Sequence, residues 1–341
     1  MKAAVVREPG KLVVEDIPMP QVGPYDVLCR QLYGATCVGT DLHIINNQFP
    51  WPIKYPTLLG HESVGRVERI GNKVRNFRLG DVVSRVCNLS PAGESLASNW
   101  GGFAEFGIAR DHRAMKADGC APELWHAYRV NEVIPPDISP AAATMMITWR
   151  ETLSFIRRMG LYAGKSLLVV GSGGNGLAFA AHARNLGATG VAVIGSSDRK
   201  AVGFAVGATH YYSYRGSDVA TEIRRDFPYG FDFIIDAIGR ANSLDESLPF
   251  AAPNAVVAHY GLDDFGKWSL NPSRARGTFT YYNGGYDEAE THEAVLAFMR
   301  EGKLLAQHWL NTSAPYSLAT ITEAYASVQQ RKELKALVKL S

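Results

Sequence analysis

The segment GATCVGTDLH, residues 34–43, brings a thiol, a hydroxyl, a carboxylate and an imidazole within ten positions: Cys37, Thr40, Asp41 and His43. A thiolate and an imidazole are metal donors, and an imidazole that titrates near neutrality suits general acid–base work. Whether the Cys37 side chain points to where a metal would sit depends on the backbone around it. Asp41 reads as a structural residue that satisfies turn amides.

A second chemical signal is SLLVVGSGGNGLAFAAHARNLGA, in which Gly171, Gly173 and Gly176 fit G-x-G-x-x-G between an apolar strand and a helix. The first glycine permits the tight turn, the second lets the backbone approach a pyrophosphate, and the third allows close helix–strand packing. The turn, with Gly174 and Asn175, offers helix N-terminal N–H groups and a positive dipole end to the phosphates. This predicts a dinucleotide site.

The next strand, VAVIGSSDRK, bears on which nicotinamide coenzyme fits. It ends in Gly195 and Ser196 with Arg199 and Lys200 close behind, an uncharged end and two cations that favour the 2′-phosphate of NADP(H). Asp198 argues the other way: were the strand three residues longer, it would take the acidic role that binds the ribose of NAD.

The elements that must position these groups follow from the texture of the chain. The first third reads as short β segments between turns (KAAVV, KLVVEDI, DVLCRQLYGA, SVGRVERI, DVVSRVC, FAEFGIA). From about residue 150, strands alternate with helices, which means βαβ units and a parallel sheet covered on both faces. Amphipathic helices follow in EAETHEAVLAFMREGKLL and LATITEAYASVQQRK, and LKALVKL closes the chain as a strand. The fold class is α/β, a β domain joined to a doubly wound parallel sheet.

At 341 residues the chain fits two domains. With 46% hydrophobic and 20% charged residues and a net charge of +2, it has no global field to draw nucleic acid or a membrane, so its partner is a small molecule. The opening MKAAVVREPG lacks the apolar core of a secretion signal, and no run of about 18 apolar residues follows, so a cytoplasmic location is expected. Cys29, Cys37, Cys87 and Cys120 are scattered without a C-x-x-C pair, which predicts reduced thiols.

Together these residues resemble the medium-chain dehydrogenase/reductase family of zinc-type alcohol and polyol dehydrogenases. The resemblance spans nearly the whole chain: MKAAVV, GTDLH at 39–43, LLGHESVGRVERIG at 59–72, GD at 80–81, GGFAEF at 101–106, the glycine turn, and LATITEAYASVQQRK. It implies a GroES-like catalytic domain over residues 1–148, a Rossmann NADP-binding domain over 149–284, and a C-terminal return over 285–341. Family analogy also suggests a homodimer or homotetramer. GSSDRK with Tyr214 looks like the coenzyme pocket of NADP-using members. The family's four-cysteine lobe would fall at 88–102, which holds no cysteine, so no structural zinc is expected.

In zinc-using members a cysteine, the histidine of G-H-E and a third donor hold a metal that stabilises an alkoxide or polarises a carbonyl. His61 matches, and Glu62 follows it. Cys37 stands one residue early, with Val38 at the usual place; on a strand that shift reverses the side chain, unless a bulge around Ala35 to Val38 absorbs it. Aligning TMMITW on Thr148 puts Thr144 at the third position, where a hydroxyl is a poor donor. Cys37 and His61 are thus metal candidates, and catalytic zinc is left open. The bland alternative is a buried thiol, a core histidine and a helical threonine.

The resemblance gives Thr40 the role of touching the substrate oxygen and His43 that of passing the proton outward, with the nicotinamide near Thr40, His61 and Thr148. The expected activity is NADP(H)-dependent interconversion of a secondary alcohol, of polyol or cyclitol type, and its ketone. The alternative is zinc-independent reduction of an α,β-unsaturated ketone or quinone by NADPH. A non-catalytic NADPH-binding protein is the rival from another class.

Overall fold

The computed structural model describes residues 1–88 and 96–341. It divides into two compact units, Met1–Ile147 with Trp309–Ser341, and Thr148–His308. The division falls inside the helix Met145–Arg158, and the chain returns to the first unit at Trp309, so residues 285–308 stay with the second.

The first unit contains β1 (Lys2–Glu8), β2 (Lys11–Asp16), β3 (Asp26–Ala35), β4 (Thr57–Leu58), β5 (Glu62–Ile70), β6 (Val82–Ser84), β7 (Ala97–Ser98), β8 (Phe106–Arg110) and β9 (Val133–Ile134). The second contains β10 (Ser166–Val170), β11 (Gly190–Gly195), β12 (His210–Ser213), β13 (Phe231–Asp236), β14 (Ala251–His259) and β15 (Phe279–Tyr281). The returning chain adds β16 (Tyr316–Ser317) and β17 (Leu337–Lys339) to the first unit.

In the first unit one sheet runs β2-β1-β4-β7, and a second runs β16-β17-β3-β5-β6-β9 with β8 beside β3. The alternation of side chains along β1 explains how one short strand serves two cores. Ala4 and Val6 pack with Leu59 and Phe103, whereas Ala3 and Val5 pack with Leu58 and Ala104. The helix Ile321–Gln329 buries Ile321, Ala324, Tyr325 and Val328 in the first of these cores, the spacing of one helical face. Each large apolar side chain so buried contributes about 1.5–3 kcal/mol, which makes the C-terminal segment integral to the unit. β17 then lies antiparallel on β3, with Leu337 opposite Ala35.

The second unit is a single sheet in the order β12-β11-β10-β13-β14-β15, with every ladder parallel. Its central strands are apolar on both sides, as in β10, where Leu167, Leu168 and Val169 are wholly buried. The order reverses between β10 and β13, the topological switch point of a doubly wound sheet. Among the described residues no helix is long and apolar enough to cross a membrane.

Candidate active site

β3 ends at Ala35, which pairs with Glu62 in β5. Cys37 has left the ladder and is the N-cap of the helix Val38–Ile45, with φ −113° and ψ 100°. The register shifts of β3 against β5 fall between Leu28 and Cys29 and between Gln31 and Tyr33, not between Ala35 and Val38. The direction of Cys37 is therefore set by a strand-to-helix turn, and the strand argument about a one-residue slip does not apply to it. The result is that the Cys37 thiol, the His61 ring and the Glu62 carboxylate are all buried with ligand atoms within 4.8 Å of one another.

Asp41 organises this cluster. Its Oδ2 accepts hydrogen bonds from the Cys37 amide and from the Tyr325 hydroxyl, each at 2.8 Å. Its Oδ1 lies 3.6 Å from His61 Nδ1, and both of those buried atoms lack a hydrogen-bond partner. Burial works against a proton on His61, but Asp41 and Cys37 outweigh it and push the ring up to about 10. The Cys37 thiol donates toward Thr40 Oγ1 at 3.7 Å. His43, half-buried, sets Nδ1 against the Gly39 carbonyl.

Glu62 is held from the C-terminal end of the chain. Lys335, just ahead of β17, places Nζ 2.6 and 2.5 Å from the two Glu62 oxygens and 3.2 Å from the Thr36 carbonyl. Burial opposes the charge on Lys335; Glu62, Cys37 and Asp41 overcome it and hold the ammonium above its ordinary pKa. On another side the His61 ring packs on Trp100 with centroids 5.1 Å apart, and Arg85 Nη1 donates to the His61 carbonyl at 3.2 Å. Thr144, wholly buried, gives its hydroxyl proton to the Ala141 carbonyl at 2.8 Å. Among the described residues, the carboxylate that groups with Cys37 and His61 at metal-ligand spacing is that of Glu62.

Thiolate, imidazole and carboxylate are donor types of catalytic zinc sites with three protein ligands and one open position. By chemistry and by number this set fits zinc. Residues 89–95, within the expected position of a structural-zinc lobe, lie outside the described residues.

The second unit carries the glycine turn between β10 and the helix Gly174–Asn185, which Gly174 and Asn175 open. Gly171 has φ +112°, and a Cβ there would stand 2.7 Å from Ile238 Cγ1. Gly173 is the helix N-cap, and a Cβ there would meet nothing within 4 Å, so its backbone is open to an approaching group. At Gly176 a Cβ would come 2.0 Å from the Gly171 carbonyl oxygen, which is how closely the helix crosses the strand end. The three positions have the geometry that a pyrophosphate cradle requires.

β11 stops at Gly195, and Ser197–Arg199 forms a single 3-10 turn before the helix Lys200–Ala205. The extension that would have put Asp198 at a strand end does not occur; Asp198 sits in that turn and accepts from Ser196 Oγ at 3.2 Å. The Ser196 amide donates to Ser172 Oγ at 3.1 Å. The Tyr214 amide donates to the Gly195 carbonyl at 3.1 Å, which brings Tyr214 beside the strand end, with the Arg215 guanidinium 5.5 Å from its ring. Thr148 is buried on the helix Met145–Arg158, where its carbonyl accepts from Thr152 Oγ1 at 2.7 Å.

Comparison with known proteins agrees with this architecture. Residues 23–122 match the alcohol dehydrogenase GroES-like domain, and residues 174–298 match the zinc-binding dehydrogenase model. An L-threonine 3-dehydrogenase of Anaeromyxobacter dehalogenans is 30% identical over 286 residues, 77% of each chain. A sorbitol dehydrogenase of Bacillus subtilis is 24% identical over 349 residues, covering 99% of this chain and 97% of that one. Alcohol dehydrogenase TADH from Thermus sp. ATN1 superposes with a TM-score of 0.82 over 99% of each chain at 23% identity. The chain belongs to the medium-chain dehydrogenase/reductase family of zinc-type alcohol dehydrogenases. It is an oxidoreductase of that family.

Three side chains of the cluster escaped the sequence reading: Glu62 as a donor, and Tyr325 and Lys335 as its surroundings. For Glu62 the signal was present, since it adjoins His61. For Lys335 the closing strand was legible but not its neighbour, because nothing in LKALVKL says that it lies on β3.

Proposed function

We propose that the protein is an NADP(H)-dependent oxidoreductase that interconverts a secondary alcohol of polyol or cyclitol type and its ketone by hydride transfer. One observation carries the reading: Cys37, His61 and Glu62 converge within 4.8 Å, with the Thr40 hydroxyl against the Cys37 thiol. Zinc, when held by these residues, supplies Lewis acidity toward the substrate oxygen.

The remaining chemistry falls to the chain itself. Thr40 takes the hydroxyl proton of the alcohol and His43 passes it outward; NADP+, when bound, would accept the carbinol hydride, so that alcohol and NADP+ yield ketone, NADPH and a proton. Gly171, Gly173, Gly174, Asn175 and Gly176 cradle the pyrophosphate. Gly195 and Ser196 leave space for the 2′-phosphate, Arg199 and Lys200 neutralise it, and Tyr214 lies beside it. Thr148 lies toward the nicotinamide. The protein acts in the cytoplasm as a homodimer or homotetramer on a small-molecule substrate, without nucleic acid or membrane, and without a structural zinc.

A second reading has its own support, the engagement of both Glu62 oxygens by Lys335. If that pair persists, two donors remain beside the Thr40–His43 relay, and metal-free reduction of an α,β-unsaturated ketone or quinone by NADPH becomes the better account. Assays of secondary alcohols with NADP+, and of enones and quinones with NADPH, each with and without a chelator, decide between them. Chelator-sensitive alcohol oxidation is the expected result. Chelator-resistant turnover confined to enones or quinones would replace the first reading with the second.

A further inference from the structure

We infer that Tyr325 is a positioning residue of the metal centre, its hydroxyl acting through Asp41 to hold Cys37 and His61 in the orientation that binds zinc. The inference rests on the reading above that Cys37 and His61 are metal ligands.

The ring of Tyr325 owes its place to the core, not to its hydroxyl. It is buried on the helix Ile321–Gln329 and stands edge-on to Phe103, with centroids 6.3 Å apart and planes at 87°. The hydroxyl projects from this fixed ring onto Asp41 Oδ2 at 2.8 Å, and the Cys37 amide reaches the same oxygen at 2.8 Å. Two donors on one oxygen hold the carboxylate, which leaves Oδ1 facing His61 Nδ1 at 3.6 Å, just beyond hydrogen-bond length, with neither atom taken by another hydrogen bond.

A carboxylate at Nδ1 selects the ring tautomer that keeps its proton there and leaves Nε2 bare for a metal. The same carboxylate anchors the backbone of Cys37 at the helix N-cap. One buried acid thus sets two ligands, and a residue nearly three hundred positions away in the chain sets the acid. Removing the hydroxyl leaves Oδ2 with a single donor and lets the carboxylate turn away from the histidine.

Tyr325→Phe keeps the ring and deletes only the hydroxyl. Zinc affinity is measured by competition with a chromophoric chelator, alongside the visible ligand-field spectrum of the cobalt-substituted protein and the melting of the metal-free form. The inference expects the zinc Kd to rise about tenfold or more, in the range usual for partners behind a ligand, with an altered cobalt spectrum. It expects the metal-free proteins to melt together.

Asp41→Asn should weaken zinc comparably, and Tyr325→Phe added to it should cost nothing further; independent, additive losses would overturn the inference. So would a variant that binds zinc as wild type does, whether or not its metal-free form melts lower, since that result marks a packing role. In that case wild-type zinc binding leaves the functional reading standing. A wild-type protein that takes up no zinc removes both together.

Discussion

Lys335 Nζ lies 2.6 and 2.5 Å from the two carboxylate oxygens of Glu62, and neither side chain is more than 3% exposed. The segment just ahead of the last strand thereby places a cation against the residue that follows His61. The buried pair ties the closing segment to the candidate metal site as well as to the core.

Breaking the pair leaves an uncompensated buried charge. Lys335→Met is expected to lower the free energy of unfolding by about 3–5 kcal/mol. Adding Glu62→Gln should restore a large part of the loss, because the stranded carboxylate is then neutral. Urea denaturation measures both; a loss below about 1 kcal/mol, the size of an exposed pair, would contradict the assignment.

Three buried histidines make stability fall in mild acid. Burial holds His182 down to about 3 and His259 down to about 4; burial with Arg113 nearby holds His112 down to about 4. The unfolded chain protonates its histidines near pH 6.5, so between there and the folded values it carries more protons than the native state. Their contribution is full above about pH 6.5 and is lost at about 1.4 kcal/mol per pH unit per group as pH falls toward 4. Asp236, raised above the usual carboxylate range by burial, acts in the opposite sense. Tm followed from neutral pH to about pH 5 should fall, and His182→Leu should shallow the slope by about one proton's worth. An unchanged slope in that variant would show that His182 does not titrate on unfolding.

Thr40→Val removes the hydroxyl that the relay needs and keeps the shape. kcat for alcohol oxidation should fall by about a hundredfold or more, with zinc content and coenzyme affinity unchanged. Stopped-flow turnover with elemental analysis tests this, and a variant of wild-type kcat would remove Thr40 from the proton path.

Gly176→Ala puts a Cβ 2.0 Å from the Gly171 carbonyl oxygen, so the helix Gly174–Asn185 must move away from β10. The turn then loses its fit to the pyrophosphate. Coenzyme Kd should rise about tenfold or more, a loss of at least about 1.4 kcal/mol, while the first unit's zinc affinity is untouched. Equal coenzyme affinity in the variant would separate this turn from the binding site.

Much of this was legible in the residues, and the rest shows where local pattern gives out. Five strands of the second unit were legible as short β runs alternating with helices, an alternation that implies parallel pairing, whereas the three-residue β15 was too short to register. The glycine turn was legible from its spacing between an apolar strand and a helix; Gly171 and Gly176 each answer a steric demand, while Gly173 leaves open space. The helix Val38–Ile45 was not legible, since VGTDLHII has a glycine and four β-branched residues, poor helix formers that tertiary contacts override. That one missed helix is why Cys37 looked misdirected: the period-2 rule was applied to a residue that had already left the strand. The helix Val219–Asp226 buries only Ile223, too faint a stripe to register. Partners brought from the far end of the chain, Tyr325 and Lys335, follow from topology and not from any local signal.

The central claim is that the glycine turn and the strand end after it bind a phosphorylated nicotinamide dinucleotide. Equilibrium titration of the protein with NADPH and with NADH, followed by nicotinamide fluorescence, tests it most directly. Saturable binding of both is expected, with NADPH tighter by about tenfold or more and the difference abolished in Arg199→Ala/Lys200→Ala. NADH binding as tightly as NADPH would contradict the phosphate site, and no binding of either would contradict the account as a whole.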